Sequence, residues 1–106
     1  MLISYDKRKK VIYITPDGDF VAEEAVAMRS QLQEYMRHDM DTLVLDLARV
    51  QTLDSLGLNT FIVLYNLICE IDGEIIIENA SRELKKLFRV MRIAGRLTIS
   101  QTGWPS

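Results

Sequence analysis

The chain has 106 residues and a formal net charge of −2, with an isoelectric point near 5.3, unlike the strongly basic domains that bind nucleic acid. Hydrophobic residues make up 48%, enough for one compact core, and a chain of this length predicts a single domain over residues 1–106. The lone cysteine, Cys69, excludes an internal disulfide and any multi-cysteine metal site.

Leu2 to Tyr5 and Val11 to Thr15 read as two short strands, joined as a hairpin by the polar run Asp6-Lys7-Arg8-Lys9-Lys10. Pro16-Asp17-Gly18-Asp19 breaks the pattern. From Val21 the period changes: Val21, Ala25, Met28, Leu32, Tyr35 and Met36 fall on one face of an amphipathic helix, with Glu23, Glu24, Arg29, Gln33, Glu34 and Arg37 on the other. His38 to Asp41 ends that helix. The only histidine of the chain, His38 reads as part of a solvated helix end, without a second histidine for a metal or a triad.

Leu43 to Leu47 is apolar at nearly every position, as a central strand covered on at least one side would be. A loop through Val50-Gln51-Thr52-Leu53 leads to Asp54-Ser55-Leu56-Gly57-Leu58 and a helix running to Ile71, apolar almost all round. Such a helix is buried or lies under a partner. Cys69, among Leu67, Ile68 and Ile71, reads as a structural thiol. Asp72-Gly73 stops the helix. Glu74 to Glu78 is a β-branched strand. Ser81 caps a third helix through Ala94, which Gly95 ends, and Leu97-Thr98-Ile99 is a last strand. The order ββαβαβαβ predicts an α/β fold: a mixed sheet with an antiparallel first hairpin and three helices.

The start, Met1 to Asp6, turns charged almost at once, so no secretory leader is expected. Asn59, Thr60 and Asn66 break the longest apolar stretch short of a membrane span. A cytoplasmic protein is the expectation. On the third helix Arg82, Lys85, Lys86, Arg89, Arg92 and Arg96 form a basic stripe, whose usual meaning is a solvated face. Lys7 to Lys10 is a second basic cluster.

The segment Asp54 to Leu58 carries the most information. It follows a strand and opens a helix, so Ser55 falls at a helix start, where unpaired N–H groups and the positive dipole end welcome an anion. A serine there can cap the helix, act as a nucleophile or receive a phosphate. Gly57 allows close backbone approach. No obvious general base accompanies Ser55, which argues against an enzyme. Loops after the second and third strands should open on one edge of the sheet, where sites of α/β proteins gather.

Taken together, Leu43-Val44-Leu45-Asp46-Leu47, the loop, and Asp54-Ser55-Leu56-Gly57-Leu58 resemble the strand and Asp-Ser-x-Gly-Leu signature of the STAS domain, the module of bacterial anti-sigma-factor antagonists and sulphate-transporter tails. Element order matches, and Leu84 to Ile99, with Leu87-Phe88 and Met91, resembles the family's last helix and strand. The likeness implies that Ser55 is phosphorylated by a partner kinase that is itself an anti-sigma factor. It implies partner switching: the unmodified protein binds the kinase and frees a sigma factor, and phosphorylation releases it. Asp19, Asp54, Ser55, Leu56, Gly57 and Leu58 are the partner-binding residues so implied. No cofactor is expected, and the chain would be a monomer or weak dimer. The chain departs from the family in the loop after its second strand, where Gly18-Asp19-Phe20 runs almost directly into Val21-Ala22-Glu23-Glu24 and a second aspartate is missing. A non-catalytic STAS subunit of a lipid-transport complex or stress-signalling scaffold is the alternative. A nucleotide-binding or small-ligand enzyme is a third, weaker class.

Overall fold

A computed structural model describes residues 2–18, 22–37, 39–51, 53–91 and 97–99. The elements are β1 (Leu2–Asp6), β2 (Val11–Thr15), α1 (Ala22–Met36), β3 (Thr42–Asp46), α2 (Ser55–Glu70), β4 (Glu74–Glu78), α3 (Arg82–Met91) and β5 (Leu97–Ile99). Their order is the one expected. The expected end of α3 at Ala94 and Gly95 lies outside the described residues, as does His38.

The five strands lie in the sheet in sequence order. β1 pairs antiparallel with β2, and β2, β3, β4 and β5 are successively parallel. The hairpin closes as its composition predicts: Asp6 Oδ1 accepts the backbone N–H groups of Arg8 and Lys9 at 3.0 and 3.1 Å, and Lys10 adopts φ 62°. β3 is the central strand, and its Leu43, Val44 and Leu45 are all buried.

Register sorts the two faces. Ile12, Leu43 and Ile75 are Cα partners across three strands, as are Ile14, Leu45 and Ile77. All six are at most 1% exposed and share one core with Met28 and Leu32 of α1, Phe61, Leu64 and Ile68 of α2, and Leu84 and Phe88 of α3. The three helices therefore cover the same face. That follows from strand order: right-handed crossovers that always step in one direction return on the same side. The aromatic rings of Phe61 and Phe88, 4.7 Å apart, join α2 to α3, and those of Tyr5 and Tyr35, 5.1 Å apart, join β1 to α1. The second face carries Ser4, Tyr13, Val44 and Ile76 in one row. Val44 is buried but stands outside the core cluster, and Tyr13 is 37% exposed.

The expected stop at Asp72-Gly73 takes a specific form. Asp72 N–H donates to Cys69 O at 3.1 Å and Gly73 N–H to Ile68 O at 2.9 Å, with Asp72 at φ 55°. This is the paired bonding of a Schellman end, with aspartate instead of glycine in the left-handed position. Gly73 is needed for space: a Cβ there would lie 2.6 Å from Asp41 O. Ser81 caps α3 as expected, its Oγ accepting Leu84 N–H at 3.2 Å.

Candidate functional site

Parallel pairing of β2 with β3 and of β3 with β4 brings their carboxyl ends to one edge, with the connections to α1, α2 and α3. The β2–α1 and β3–α2 connections meet there, as expected: Arg49 Nη1 lies 3.6 Å from Asp17 Oδ1. A second tie joins β3 to the β4–α3 connection. Asp46 Oδ1 accepts the side-chain amide of Asn79 and the N–H of Ala48, each at 3.0 Å.

The start of α2 assigns distinct tasks to Asp54 and Ser55. Asp54 is extended, with φ −85° and ψ −169°. Its Oδ1 accepts Gly57 N–H at 2.9 Å, and its carbonyl accepts Leu58 N–H at 2.9 Å. The cap is therefore Asp54, and the capping task considered for Ser55 falls to its neighbour. Ser55 is the first helical residue. It is exposed, and its hydroxyl makes no hydrogen bond among the described residues. An exposed hydroxyl thus stands at the positive end of a 16-residue helix, beside a carboxylate already engaged.

The next residues split between core and surface. Gly57 is buried and Leu58 half-buried, while Leu56 is 38% exposed. Thr60, 6% exposed, returns its hydroxyl to Leu56 O at 2.8 Å and so needs no outside partner. Leu53 packs against the core ahead of the cap. Of the implied partner-binding residues, the structure places Asp54 to Leu58 in one helix start. Asp19 lies outside the described residues.

One hollow borders this start, and a second opens between two of the connections. A groove of about 220 Å³ between α1 and α2 is lined by Ala25, Val26, Arg29, Leu56 and Val63, among others. A broader cleft of about 550 Å³ lies between the β3–α2 and β4–α3 connections, with Val50, Gln51, Asn79, Ser81 and Arg82 on its walls. Sequence reasoning missed Val26, which is 66% exposed although apolar. It placed Glu24 on the polar face, yet Glu24 is half-buried, with Oε1 enclosed and without a hydrogen-bond partner among the described residues. On α3, Arg82, Lys86 and Arg89 are exposed and Lys85 is half-buried; Arg92 and Arg96 lie outside the described residues. Among the described residues no three His, Cys, Asp or Glu side chains are grouped to hold a metal, and no helix is long and apolar enough to cross a membrane.

Comparison with known proteins agrees with this architecture. The anti-sigma factor antagonist SpoIIAA in its unphosphorylated form superposes with a TM-score of 0.75 at 14% identity, over 93% of this chain and 86% of that one. The crystal structure of a Thermotoga maritima protein described as a candidate anti-sigma factor antagonist, TM1081, gives 0.75 at 14% identity, over 96% and 86%. The solution structure of TM1081 gives 0.74 at 14% identity, over 92% and 78%. A search of curated proteins finds no match. The sequence model of the STAS domain matches residues 3–102, and the chain belongs to the STAS domain family.

Proposed function

We propose that this protein is an anti-sigma-factor antagonist that works by phospho-regulated partner switching. In the unmodified state the start of α2 binds an anti-sigma factor with serine-kinase activity and frees a sigma factor; phosphate on Ser55 ends the complex. One observation carries the reading: Ser55 is exposed at the first position of α2 and its hydroxyl makes no hydrogen bond among the described residues, while Asp54 holds the cap.

The chemistry of release follows from that position. Phosphate adds about −1.5 to −2 charges at neutral pH. At a helix N-terminus such charge is tolerated by its own fold, because it faces N–H groups and the positive dipole end. The cap bond from Gly57 to Asp54 involves no atom of Ser55 and can persist. A docked partner meets a different balance. It must desolvate the phosphate together with the Asp54 carboxylate, and like charges juxtaposed across an interface cost several kcal/mol. Release therefore requires no unfolding.

The test is incubation with the cognate kinase and ATP, followed by mass spectrometry. Phosphate on Ser55 is expected. Ser55→Ala should stay folded, resist phosphorylation and bind the kinase constitutively, and Ser55→Asp should fold but bind poorly. Phosphate on another residue, or none while the partner still binds tightly, would refute the switch. A second reading, a fixed non-catalytic subunit of a larger STAS-containing complex, is favoured by the exposed apolar Val26, Leu56 and Ile62 on the outer surfaces of α1 and α2. It expects tight binding that Ser55→Asp leaves intact.

A further inference from the structure

The second face of the sheet has no described helix over it, yet its central strands are composed for cover on both faces. β2 opens Val11-Ile12-Tyr13-Ile14, β3 contains Leu43-Val44-Leu45, and β4 contains Ile75-Ile76-Ile77. A strand with one solvated face alternates apolar with polar residues, whereas a parallel strand covered on both faces is apolar continuously. On the second face Tyr13 is 37% exposed and Ile76 is half-buried. The composition calls for a further layer above them.

The charges beside this stripe say what kind of layer fits. The central row, Ser4-Tyr13-Val44-Ile76-Thr98, carries no charge. Toward the amino ends of the parallel strands the same face carries the row Asp6-Val11-Thr42-Glu74. Toward their carboxyl ends it carries Asp46 paired with Glu78, and Leu2 paired with Thr15. Carboxylates thus border the stripe at both ends, and no lysine or arginine stands in these rows. Asp6 and Asp46 each accept hydrogen bonds that fix the side chain and leave its charge. Among the described residues no ion pair neutralises Asp6, Asp46 or Glu78.

An apolar stripe between carboxylates disfavours nucleic acid, an anionic membrane and a second copy of the same face, and favours a cationic partner. Helices are the layer that covers parallel strands. Glu74 and Glu78 stand four residues apart on one strand, about 13 Å at about 3.3 Å per residue. About nine residues of helix span that distance. We infer that the second face of the sheet docks an amphipathic helix of a partner protein. Its apolar stripe lies on Tyr13, Val44 and Ile76, and its lysines or arginines, about nine residues apart, meet the carboxylates at either end. The site is across the sheet from α2 and needs neither kinase nor phosphate, so it stands apart from the phospho-switch.

The test is an NMR titration of the full chain with two synthetic helical peptides of about 18 residues. One carries a leucine stripe between lysines about nine residues apart, and its twin has glutamates in place of the lysines. With the lysine peptide the largest amide shifts are expected at Tyr13, Val44 and Ile76, and the affinity should fall as salt rises. The glutamate twin should bind at least about tenfold more weakly. Glu74→Lys with Glu78→Lys should exchange these preferences, with folding checked by circular dichroism. If that variant does not fold, Glu74→Gln with Glu78→Gln should weaken the lysine peptide alone. Tyr13→Ser, at an exposed site, should weaken it as well. Shifts centred on the start of α2, or equal binding of the two peptides, overturn the inference. So does a parent chain that binds anionic vesicles but not the lysine peptide, or one that forms a dimer abolished by Tyr13→Ser. Peptide binding that appears only after deletion of residues 101–106 also overturns it, in favour of cover by the chain itself.

Discussion

Replacing Asp54 with alanine separates the two residues at the start of α2. The structure gives Asp54 the cap, through one 2.9 Å bond from Gly57 N–H, and gives Ser55 no bond among the described residues. Removing a capping side chain costs about 1 kcal/mol, within a range of roughly 0.5–2. Unfolding entropy near 60 °C is about 2.1 cal/mol/K per residue, or roughly 0.2 kcal/mol/K for this chain, so Asp54→Ala should lower Tm by about 4–5 °C. Asp54→Asn keeps an acceptor for Gly57 N–H and loses only the charge at the dipole, roughly 0.3–1 kcal/mol. Ser55→Ala should stay within about 0.5 kcal/mol of the parent, as surface changes without partners do. Calorimetric melts and urea titrations of the three variants supply the comparison. The reasoning is refuted if Ser55→Ala destabilises more than Asp54→Ala, because the hydroxyl would then hold the cap in solution and would not be free for modification.

Gly73→Ala should cost about 2 kcal/mol or more in urea unfolding. The added Cβ would lie 2.6 Å from Asp41 O, which accepts Glu74 N–H at 3.0 Å, so that bond or the end of α2 must shift; a neutral outcome would show the approach to be looser. Leu45→Ala, at a fully packed position of the central strand, should cost roughly 2–5 kcal/mol through lost burial and the cavity left behind. A loss too small to measure would place Leu45 outside the core. Reversing the exposed charges of Arg82 and Arg89 should leave kinase affinity unchanged at physiological salt, and a large salt-dependent loss would make α3 an interface.

Much of the fold is legible in the sequence because local signals and tertiary demands agree. Leu43 to Leu47 reads as a central strand, and Thr42–Asp46 is one. The Asp72-Gly73 stop and the Ser81 cap are short-range chemistry, and both occur where composition points. Adjacent residues of equal aptitude are harder: aspartate and serine rank alike as caps, and only the extended backbone of Asp54 shows which one serves. The amide of Asn79 that reaches Asp46 across 33 residues has no sequence signature at all. Helical periodicity likewise misplaced Glu24 and gave no sign of exposed Val26, since a neighbouring helix decides which flank positions are covered.

Strand order also bears on how the chain is made. Every strand pairs with the one synthesised immediately before it. The hairpin is closed by a short turn, and Val11 then pairs with Thr42, and Thr42 with Glu74, at separations of 31 and 32 residues. Loop-closure entropy grows only slowly with length, so these two steps are about equally demanding. A strand leaving the ribosome therefore always finds its neighbour already present, and no early segment must wait for a distant later one. At each stage the growing sheet exposes a single unfinished parallel edge, which the next crossover covers. Assembly by accretion from the N-terminus is thus open to this domain, whereas a sheet whose first and last strands were neighbours would have to await release of the whole chain.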